Sequence, residues 1–271
     1  MDDEVRFAAD LFRGSAGYYD RYRLPYPEAM LTDLVRRAGV SGRGRLLDLA
    51  CGTGQLAFPL HRWFGQVWAV DQEPDMVEVV RAKAAAQDLG DIQAIVSDAE
   101  TFDAEPGSFE LAVIGNAFHR LGRDLVAGRV LGWLRPGGCL AVCWSSVPWL
   151  GETDWQRALA VTLDRWKVAL GAEHRIPAGW ELPQRRRPDL QVLSDAGFEV
   201  AGHHEFPTEH RWSLPELAGF IRSTSFLPAS VLGDHAAAFD ADLTAAVGPH
   251  GDGGTFTENV SFVYDLARKP A

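Results

Sequence analysis

The ten residues Arg45–Gly54, with the sequence RLLDLACGTG, constrain the fold of this chain more than any other segment. Leucines on both sides of Asp48 predict a buried parallel strand, and Gly52 and Gly54 predict a tight turn directly after it. Glycine accepts positive φ and lets a ligand approach the backbone closely. Because Gln55–Phe64 has helical spacing, the turn leads to a helix N-terminus, where unpaired N–H groups favour a carboxylate or a phosphate.

This segment alone is compatible with two kinds of cofactor. The run Gly52–Ala57 matches the Gly-x-Gly-x-x-Ala pattern of dinucleotide-binding proteins. However, the carboxylate of Asp48 would repel a pyrophosphate, whereas it can bind a positively charged amino group. The motif therefore favours a cofactor with an amino-acid part over a nicotinamide dinucleotide.

Three further apolar segments end in polar residues, as parallel strands around a ligand site do. The polar residues are Asp71 after 66–70, Asp98 after 92–97 and Asn116 after 109–114. An aspartate at a strand end often only caps the following helix. Several such residues after a glycine-rich turn nevertheless indicate a ligand at the carboxyl edge of one sheet, with Asp71 placed to bind both hydroxyls of a ribose.

In this region the chain resembles the class I S-adenosylmethionine-dependent methyltransferases, in their small-molecule, natural-product branch. The matching segments are LLDLACGTGQL (46–56), VWAVDQEPDMV (67–77), IVSDAETF (95–102), FELAVIGNAFHRL (109–121) and LGWLRPGGCLAV (131–142). The resemblance implies an α/β fold with a doubly wound, Rossmann-like, seven-stranded sheet whose last strand is antiparallel. It also implies helical cap insertions and S-adenosyl-L-methionine as the cofactor.

The resemblance also assigns roles within the cofactor site. In this family the glycine loop binds the methionine part, the acid after the second strand binds the ribose, and the acid after the third strand binds adenine together with its neighbour. Ala50 stands where many members have glycine. The predicted cofactor-binding residues are Asp48, Ala50, Gly52, Gly54, Asp71, Gln72, Met76, Asp98, Ala99 and Asn116.

His119 is the predicted general base. Methyl transfer is an in-line displacement, and an oxygen or nitrogen acceptor must also lose a proton. Histidine is the commonest base for this task near neutral pH, and His119 closely follows Asn116 at the end of the fourth strand. The alternative is a structural histidine that caps a helix over 121–134.

The later part of the chain is expected to complete the sheet and to cover the substrate. Strands are predicted at 140–144, 198–206 and 261–266. Segments longer than the sheet requires are usually functional. One domain is therefore expected, with an N-terminal lid (1–40), a cofactor-binding core (41–147), cap segments (148–184 and 207–251) and the rest of the sheet (185–206 and 252–271).

Aromatic residues of the lid, the cap and the loop after the fourth strand are the predicted walls of the substrate pocket. They are Tyr22, Phe118, Trp149 and Trp180. Trp155 and Trp166 lie three helical turns apart and are expected in a core. Aromatic walls suit a flat ring, and their faces attract a sulfonium cation. The predicted substrate is a small, aromatic or polycyclic metabolite of specialised metabolism, methylated on oxygen or nitrogen.

Composition limits the partners and the compartment. The 271 residues contain 26 basic and 37 acidic side chains, a net charge of −11, which argues against a nucleic-acid partner. No apolar run approaches about 18 residues and no leader is recognised, so neither a membrane span nor secretion is expected. Cys139 and Cys143 are too far apart on one strand to form a disulfide. The sequence therefore predicts a cytoplasmic monomer or homodimer.

Two other features of the sequence resemble binding sites. His203 and His204 are adjacent on a predicted strand and point to opposite faces, so no metal is predicted. The basic run Arg185–Arg187 is expected to be the solvated start of a helix, with binding of a small anionic group of the substrate as the alternative. Two other functions stay open: a protein of this fold that binds the cofactor without transferring methyl, such as a cyclase, and, disfavoured by Asp48 and Asp98, a pyridine-nucleotide oxidoreductase.

Overall fold

A computed structural model describes residues 7–8 and 10–271 of the chain and contains one seven-stranded sheet. The strands are β1 (Arg45–Leu49), β2 (Gln66–Asp71), β3 (Ile92–Val96), β4 (Phe109–Gly115), β5 (Leu134–Ser145), β6 (Glu199–Ser213) and β7 (Thr255–Arg268). Their order is β3-β2-β1-β4-β5-β7-β6, and the first five are parallel. The predicted doubly wound α/β fold is confirmed, although β5, β6 and β7 are longer than expected.

The seventh strand is antiparallel to β5, as the family resemblance implied. Gly137 donates its N–H to the Lys269 carbonyl at 3.0 Å, and near the other end of β5 Ser146 donates to the Ser261 carbonyl at 2.9 Å. Residue numbers therefore rise along β5 while they fall along β7. This reversal is the pattern of an antiparallel pair.

The helices are short and connect or flank the strands. They are α1 (Ala16–Tyr22), α2 (Glu28–Ala38), α3 (Ala57–Leu60), α4 (Pro74–Ala86), α5 (Arg123–Trp133), α6 (Asp154–Ala169), α7 (Leu182–Arg186), α8 (Asp189–Asp195), α9 (Leu214–Arg222), α10 (Ala229–Leu232) and α11 (Ala236–Val247). Across the described residues, none of them combines the length and the apolar character that a membrane crossing requires.

Two predicted helices differ from the observed ones because of local backbone chemistry. The helix expected over 55–64 is only α3 followed by a 3₁₀ turn at His61–Trp63, since the glycine loop continues to Leu56. The spacing of apolar residues over 229–247 also predicts one helix, but the structure interrupts it at Gly233, where φ is +44°. Glycine adopts this conformation far more readily than other residues, so α10 ends there and α11 begins three residues later.

The chain divides into two compact units, which are named here for their main elements. The sheet unit comprises 25–144, 181–206 and 262–271. Its core packs leucines of β1, such as Leu47, and Ile114 of β4 against Val130 of α5 and Val192 of α8. These apolar contacts fix where the carboxyl ends of β1 and β4 lie.

The helical unit comprises the described residues up to Leu24, together with 145–180 and 207–261. Its core joins Leu159 of α6, Ile221 of α9 and Phe239 of α11. Trp155 belongs to this core, as predicted, and Trp166 packs on it with its ring 5.6 Å from that of Phe239. The unit contains most of the predicted lid and cap segments, whose role as a cover stays a prediction.

Candidate cofactor and acceptor site

The glycine loop after β1 has a backbone that favours residues without a bulky side chain. Ala50, Gly52 and Gly54 have φ values of +57°, +55° and +86°. A Cβ atom on Gly54 would lie 2.6 Å from the ring of Phe58. The turn closes through a hydrogen bond of 2.9 Å from the Gly54 N–H to the Cys51 carbonyl. Glycine is therefore required at position 54, as the sequence pattern predicted.

Asp48 lies beneath this loop as a buried carboxylate. It is 1% exposed, and its Oδ2 accepts the N–H of Ala57, at the start of α3, at 2.8 Å. The pKa of Asp48 is raised to about 7, mainly by burial; the Ala57 N–H lowers it and the charge of Asp71 adds to the increase. A carboxylate in this state favours a cationic neighbour. The arrangement fits the amino group of an amino-acid-like cofactor.

Asp71 joins the glycine loop to the start of α4. Its Oδ2 accepts the Gly52 N–H at 2.8 Å, and its Oδ1 accepts the Glu73 N–H at 2.9 Å. Burial raises the pKa of Asp71, while these backbone donors lower it. Two carboxylate oxygens offer about four acceptor sites. Asp71 can therefore accept both backbone donors and the two hydroxyls of a ribose.

The remaining predicted cofactor residues lie at the same edge of the sheet unit in different settings. Asp98 is exposed, and its Oδ1 accepts the N–H groups of Glu100 and Thr101 at 2.7 and 3.2 Å. It therefore caps its own turn, which is the alternative weighed for such aspartates. Ala99 and Met76 are buried. Gln72 is exposed, and its contact with a cofactor stays a prediction.

The segment Asn116–Gly122, called the β4 loop below, follows the strand next to β1. Asn116 has φ +52°, donates its N–H to the Cys143 carbonyl at 2.7 Å and donates Nδ2 to the Tyr26 hydroxyl at 3.1 Å. Phe118 is 1% exposed and packs in the core of the sheet unit. Its predicted contact with substrate stays untested, and its burial favours a packing role.

His119 lies in this loop in hydrogen-bond contact with Arg120. The Arg120 Nε donates to the His119 Nε2 at 3.2 Å. The pKa of His119 is lowered to about 3, mainly by burial and also by the charges of Arg120 and Arg123. An imidazole with so low a pKa is a weak base. The role of His119 as a general base stays a prediction, and these surroundings weigh against it.

Partners distant in sequence fix the end of the β4 loop, and sequence reasoning missed them. Arg123 donates to the Asp189 carboxylate at 2.9 Å and to the carbonyls of Arg187 and Pro183. The Gly122 N–H donates to Glu100 at 2.6 Å. Asp189 lies 66 residues after Arg123, so no local pattern could reveal the pair.

The other predicted substrate residues belong to the helical unit. The ring of Tyr22 packs directly on Gly219, where a Cβ atom would lie 2.5 Å from it. Trp149 contacts Phe226 edge-to-face at 5.2 Å between centroids. Trp180 is half-buried. Tyr22 and Trp149 pack on the core of their own unit, and the role of all three residues in binding substrate stays a prediction.

The adjacent histidines of β6 make separate contacts, as expected for alternate faces of a strand. His203 Nδ1 lies 2.7 Å from the Asp265 carboxylate, whereas the ring of His204 lies 4.9 Å from that of Tyr264. Over residues 7–8 and 10–271, no group of three or more His, Cys, Asp or Glu side chains could bind a metal ion.

Comparison with known proteins relates part of this chain to methyltransferases. Residues 46–138 match the model of a methyltransferase domain. An uncharacterized methyltransferase of Mycobacterium tuberculosis is 31% identical over 135 residues, 50% of this chain and 52% of that protein. The aklanonic acid methyltransferase DauC of a Streptomyces species is 31% identical over 122 residues, 41% of this chain and 56% of that protein. The chain thus spans about half the length of the curated relatives it matches.

Solved structures share the fold at low sequence identity. A putative methyltransferase from Bacillus halodurans superposes with a TM-score of 0.57 at 18% identity, covering 90% of this chain and all of that one. The [4+2]-cyclase SpnF superposes with a TM-score of 0.56 at 20% identity, covering 92% and 85%. The fold alone does not decide between transfer and cyclisation. Residues 46–138 therefore resemble a methyltransferase domain, and the chain shares its fold with these structures.

Proposed function

We propose that the protein transfers a methyl group from S-adenosylmethionine to an oxygen or nitrogen of a small aromatic or polycyclic metabolite. The observation that carries this proposal is the arrangement of Asp48, Gly52 and Asp71 at the carboxyl ends of β1 and β2. It combines a glycine loop, a buried acid beside a helix N-terminus and an acid bonded to the loop backbone. Open α/β sheets bind ligands at such an edge.

The residues of the sheet unit suit the separate parts of this cofactor. Asp48 would bind the amino group, the backbone of the glycine loop the carboxylate, Asp71 the ribose, and Asp98 with Ala99 the adenine. When bound, the cofactor supplies a methyl group on a positively charged sulfur with a neutral thioether as leaving group. The contribution of the chain is then to align the acceptor with that methyl group and to exclude water.

Several features support a small aromatic acceptor. The aromatic rings of Trp149, Trp180 and Tyr22 suit a flat substrate, and a net charge of −11 disfavours a nucleic acid. DauC is named for aklanonic acid, a small-molecule acid. We therefore place the reaction in specialised metabolism, carried out in the cytoplasm by a monomer or homodimer without a membrane partner.

Calorimetry with S-adenosylmethionine tests the cofactor assignment. Asp71→Ala should weaken binding tenfold or more, because it removes hydrogen bonds worth on the order of 1–3 kcal/mol. Asp75→Ala is the matched control, since this exposed acid lies in the first turn of α4. Equal affinities for the wild type and Asp71→Ala would contradict the assignment.

Mass spectrometry of products tests the reaction. Incubation of the protein with methyl-labelled cofactor and a metabolite panel should give labelled products together with S-adenosylhomocysteine. The cyclase alternative instead predicts products that carry no label while the cofactor stays intact. Hydride transfer with NADH or NADPH, without cofactor consumption, would indicate the oxidoreductase alternative.

A further inference from the structure

The peptide unit that joins Thr53 to Gly54 is fixed at both of its ends by hydrogen bonds. Its N–H, on Gly54, donates to the Cys51 carbonyl at 2.9 Å, and its carbonyl oxygen, on Thr53, accepts from the Lys83 ammonium at 3.0 Å. The N–H and the C=O of one trans peptide unit point in opposite directions. The first bond therefore lies within the glycine loop, whereas the second comes from α4, 30 residues later in the chain.

This peptide unit lies where the backbone can rotate most easily. Thr53 stands between Gly52 and Gly54, which both have positive φ and no Cβ atom to restrict rotation. Thr53 is also fully buried, and a buried carbonyl requires a donor because it has lost its hydrogen bonds to water. An ammonium group meets this requirement well, since charged donors form stronger hydrogen bonds than neutral ones.

Lys83 also lies against the aromatic ring that follows the glycine loop. Its Nζ is 4.6 Å from the centroid of the Phe58 ring, a distance at which a cation is attracted to the ring face. Phe58 in turn lies against Gly54 and donates its N–H to the Gly54 carbonyl at 3.1 Å. Lys83 thus contacts the loop at Thr53 and the ring that packs on Gly54.

Helix α4 holds this lysine on a rigid support. Val80, one turn before Lys83, is fully buried. At the start of α4, the carboxylate of Asp71 accepts the N–H groups of Gly52 and Glu73. The glycine loop is therefore joined to α4 at two points, through Asp71 before the first turn and through Lys83 in the last.

We propose that Lys83 is a positioning residue of the cofactor site, which holds the Thr53 carbonyl and so keeps the glycine loop in the conformation that binds the amino-acid part of S-adenosylmethionine. This inference rests on the proposed function and assigns one further residue to it. A lysine in the last turn of a helix is ordinarily a solvated charge that interacts with the helix dipole. Lys83 is instead half-buried, with its ammonium bonded to the glycine loop.

Because Lys83 acts through the glycine loop, its loss should affect one part of the cofactor more than the other. The glycine loop is assigned to the amino-acid part, whereas Asp71 and Asp98 are assigned to the adenosine part. A ligand that has the adenosine part without the amino acid should therefore depend little on Lys83.

The test measures by calorimetry how the protein binds S-adenosylhomocysteine, which has both parts, and methylthioadenosine, which lacks the amino acid. Lys83→Met keeps the length of the side chain and removes the donor. It should weaken binding of S-adenosylhomocysteine about five- to fiftyfold and binding of methylthioadenosine less than about twofold. Lys83→Arg, which keeps a charged donor, should recover most of the lost affinity.

Arg81→Met is the matched control, because Arg81 lies on the same helix, is exposed and donates to the Ala94 carbonyl of β3 at 3.2 Å. Since exposed charges contribute little, both affinities should stay within about twofold of the wild type. Urea denaturation of each variant ensures that affinities are compared between folded proteins.

Phe58→Leu tests the same support without removing the charge. It should also weaken S-adenosylhomocysteine selectively, by about two- to tenfold. In the double variant with Lys83→Met, the loss should be smaller than the product of the two single losses, because both substitutions remove the contact between the ammonium and the ring.

Equal affinities for Lys83→Met and Arg81→Met, or equal losses for the two ligands, would overturn the inference. Single losses that multiply in the double variant would do the same, since they would indicate that Lys83 acts independently of Phe58. A wild-type protein that binds neither ligand would contradict the proposed function, and the inference with it.

Discussion

The glycine loop and the β4 loop leave neighbouring strands at the same edge of the sheet, yet they are stabilised in different ways. The glycine loop is shaped by residues within it, by Asp48 near the end of β1 and by Asp71 at the end of β2. The β4 loop depends on Tyr26, Glu100 and Asp189, which come from distant parts of the chain. The conformation of the glycine loop thus depends mainly on its own residues and on two acids of the adjoining strands. The conformation of the β4 loop depends on residues that are distant in sequence.

This difference has a consequence for function within the proposed methyltransferase. A loop that local residues define can bind the part of the ligand that all relatives share. In a loop that is held by residues distant in sequence, the exposed side chains can differ while the residues that hold the loop stay the same. Specificity for the acceptor is therefore expected to reside in the β4 loop, and cofactor binding in the glycine loop.

Removal of the main support of the β4 loop should have the largest effect on stability. Arg123→Leu would leave the carboxylate of Asp189, 2% exposed, without its cationic partner at 2.9 Å, while the Gln184 amide would still donate to it. Breaking a buried pair on one side typically costs about 3–5 kcal/mol of the free energy of unfolding. Urea denaturation of the wild type and of Arg123→Leu measures this loss in the free energy of unfolding.

Arg187→Gln provides the comparison, since Arg187 pairs with Asp124 and Asp195 at the surface. Its loss should cost less than about 1 kcal/mol. A similar small loss for Arg123→Leu would show that the Asp189 pair does not support the loop.

The same contrast explains which features the sequence could predict. The positions of β1 to β4, the glycine turn and the acids at the strand ends follow from local apolar runs, glycines and their spacing. The length of β6 and the contacts of Arg123 do not. Arg123 begins a helix and Asp189 begins another, and as single residues they resemble any exposed charge at a helix start.

His119 shows a second limit of sequence reasoning. Its place after Asn116 follows from the motif, but its protonation state depends on burial and on two neighbouring arginines. These depend on how the chain packs. The motif therefore predicts where the histidine lies in the fold but not what it does.

The pH dependence of stability should reveal the buried acid of the glycine loop. In the folded protein the pKa of Asp48 is raised from 3.8 to about 7. Protonated Asp48 therefore makes its full contribution to the free energy of unfolding below pH 4, and this contribution is lost as the pH rises towards 7. Asp48→Asn should equal the wild type at pH 4 and exceed its free energy of unfolding by about 2–4 kcal/mol at pH 8.

The same substitution should weaken cofactor binding, because it removes the negative charge that we assign to the amino group. Asp71, whose pKa is also raised, adds a dependence of the same sign that both proteins share. A constant difference in stability across pH would contradict the titration of Asp48. Denaturation at several pH values, with calorimetry at pH 8, separates the two effects.

Two glycines of similar backbone conformation isolate the role of the close contact in the glycine loop. Gly54 has φ +86° and lies against Phe58, whereas Gly42 has φ +82° with open space where a Cβ atom would be. Alanine at either position costs about 1–2 kcal/mol for the left-handed conformation. Gly54→Ala should cost a further 1–3 kcal/mol, roughly, from overpacking. It should also reduce cofactor affinity, while Gly42→Ala leaves affinity unchanged.

The smallest effect is expected for His119→Gln, which separates positioning from proton transfer. Glutamine keeps an oxygen that can accept from Arg120 and a group that can donate, but it has no basicity. If His119 orients Arg120, turnover on a responsive acceptor should fall less than about tenfold, with an unchanged pH profile. If His119 removes a proton, the loss should reach about a hundredfold or more and the pH profile should change shape. His119→Leu, which lacks both hydrogen-bonding groups, should reduce turnover more than His119→Gln only in the first case, because in the second both substitutions remove the base. The order of these two variants therefore decides whether the β4 loop binds the acceptor or takes part in its deprotonation.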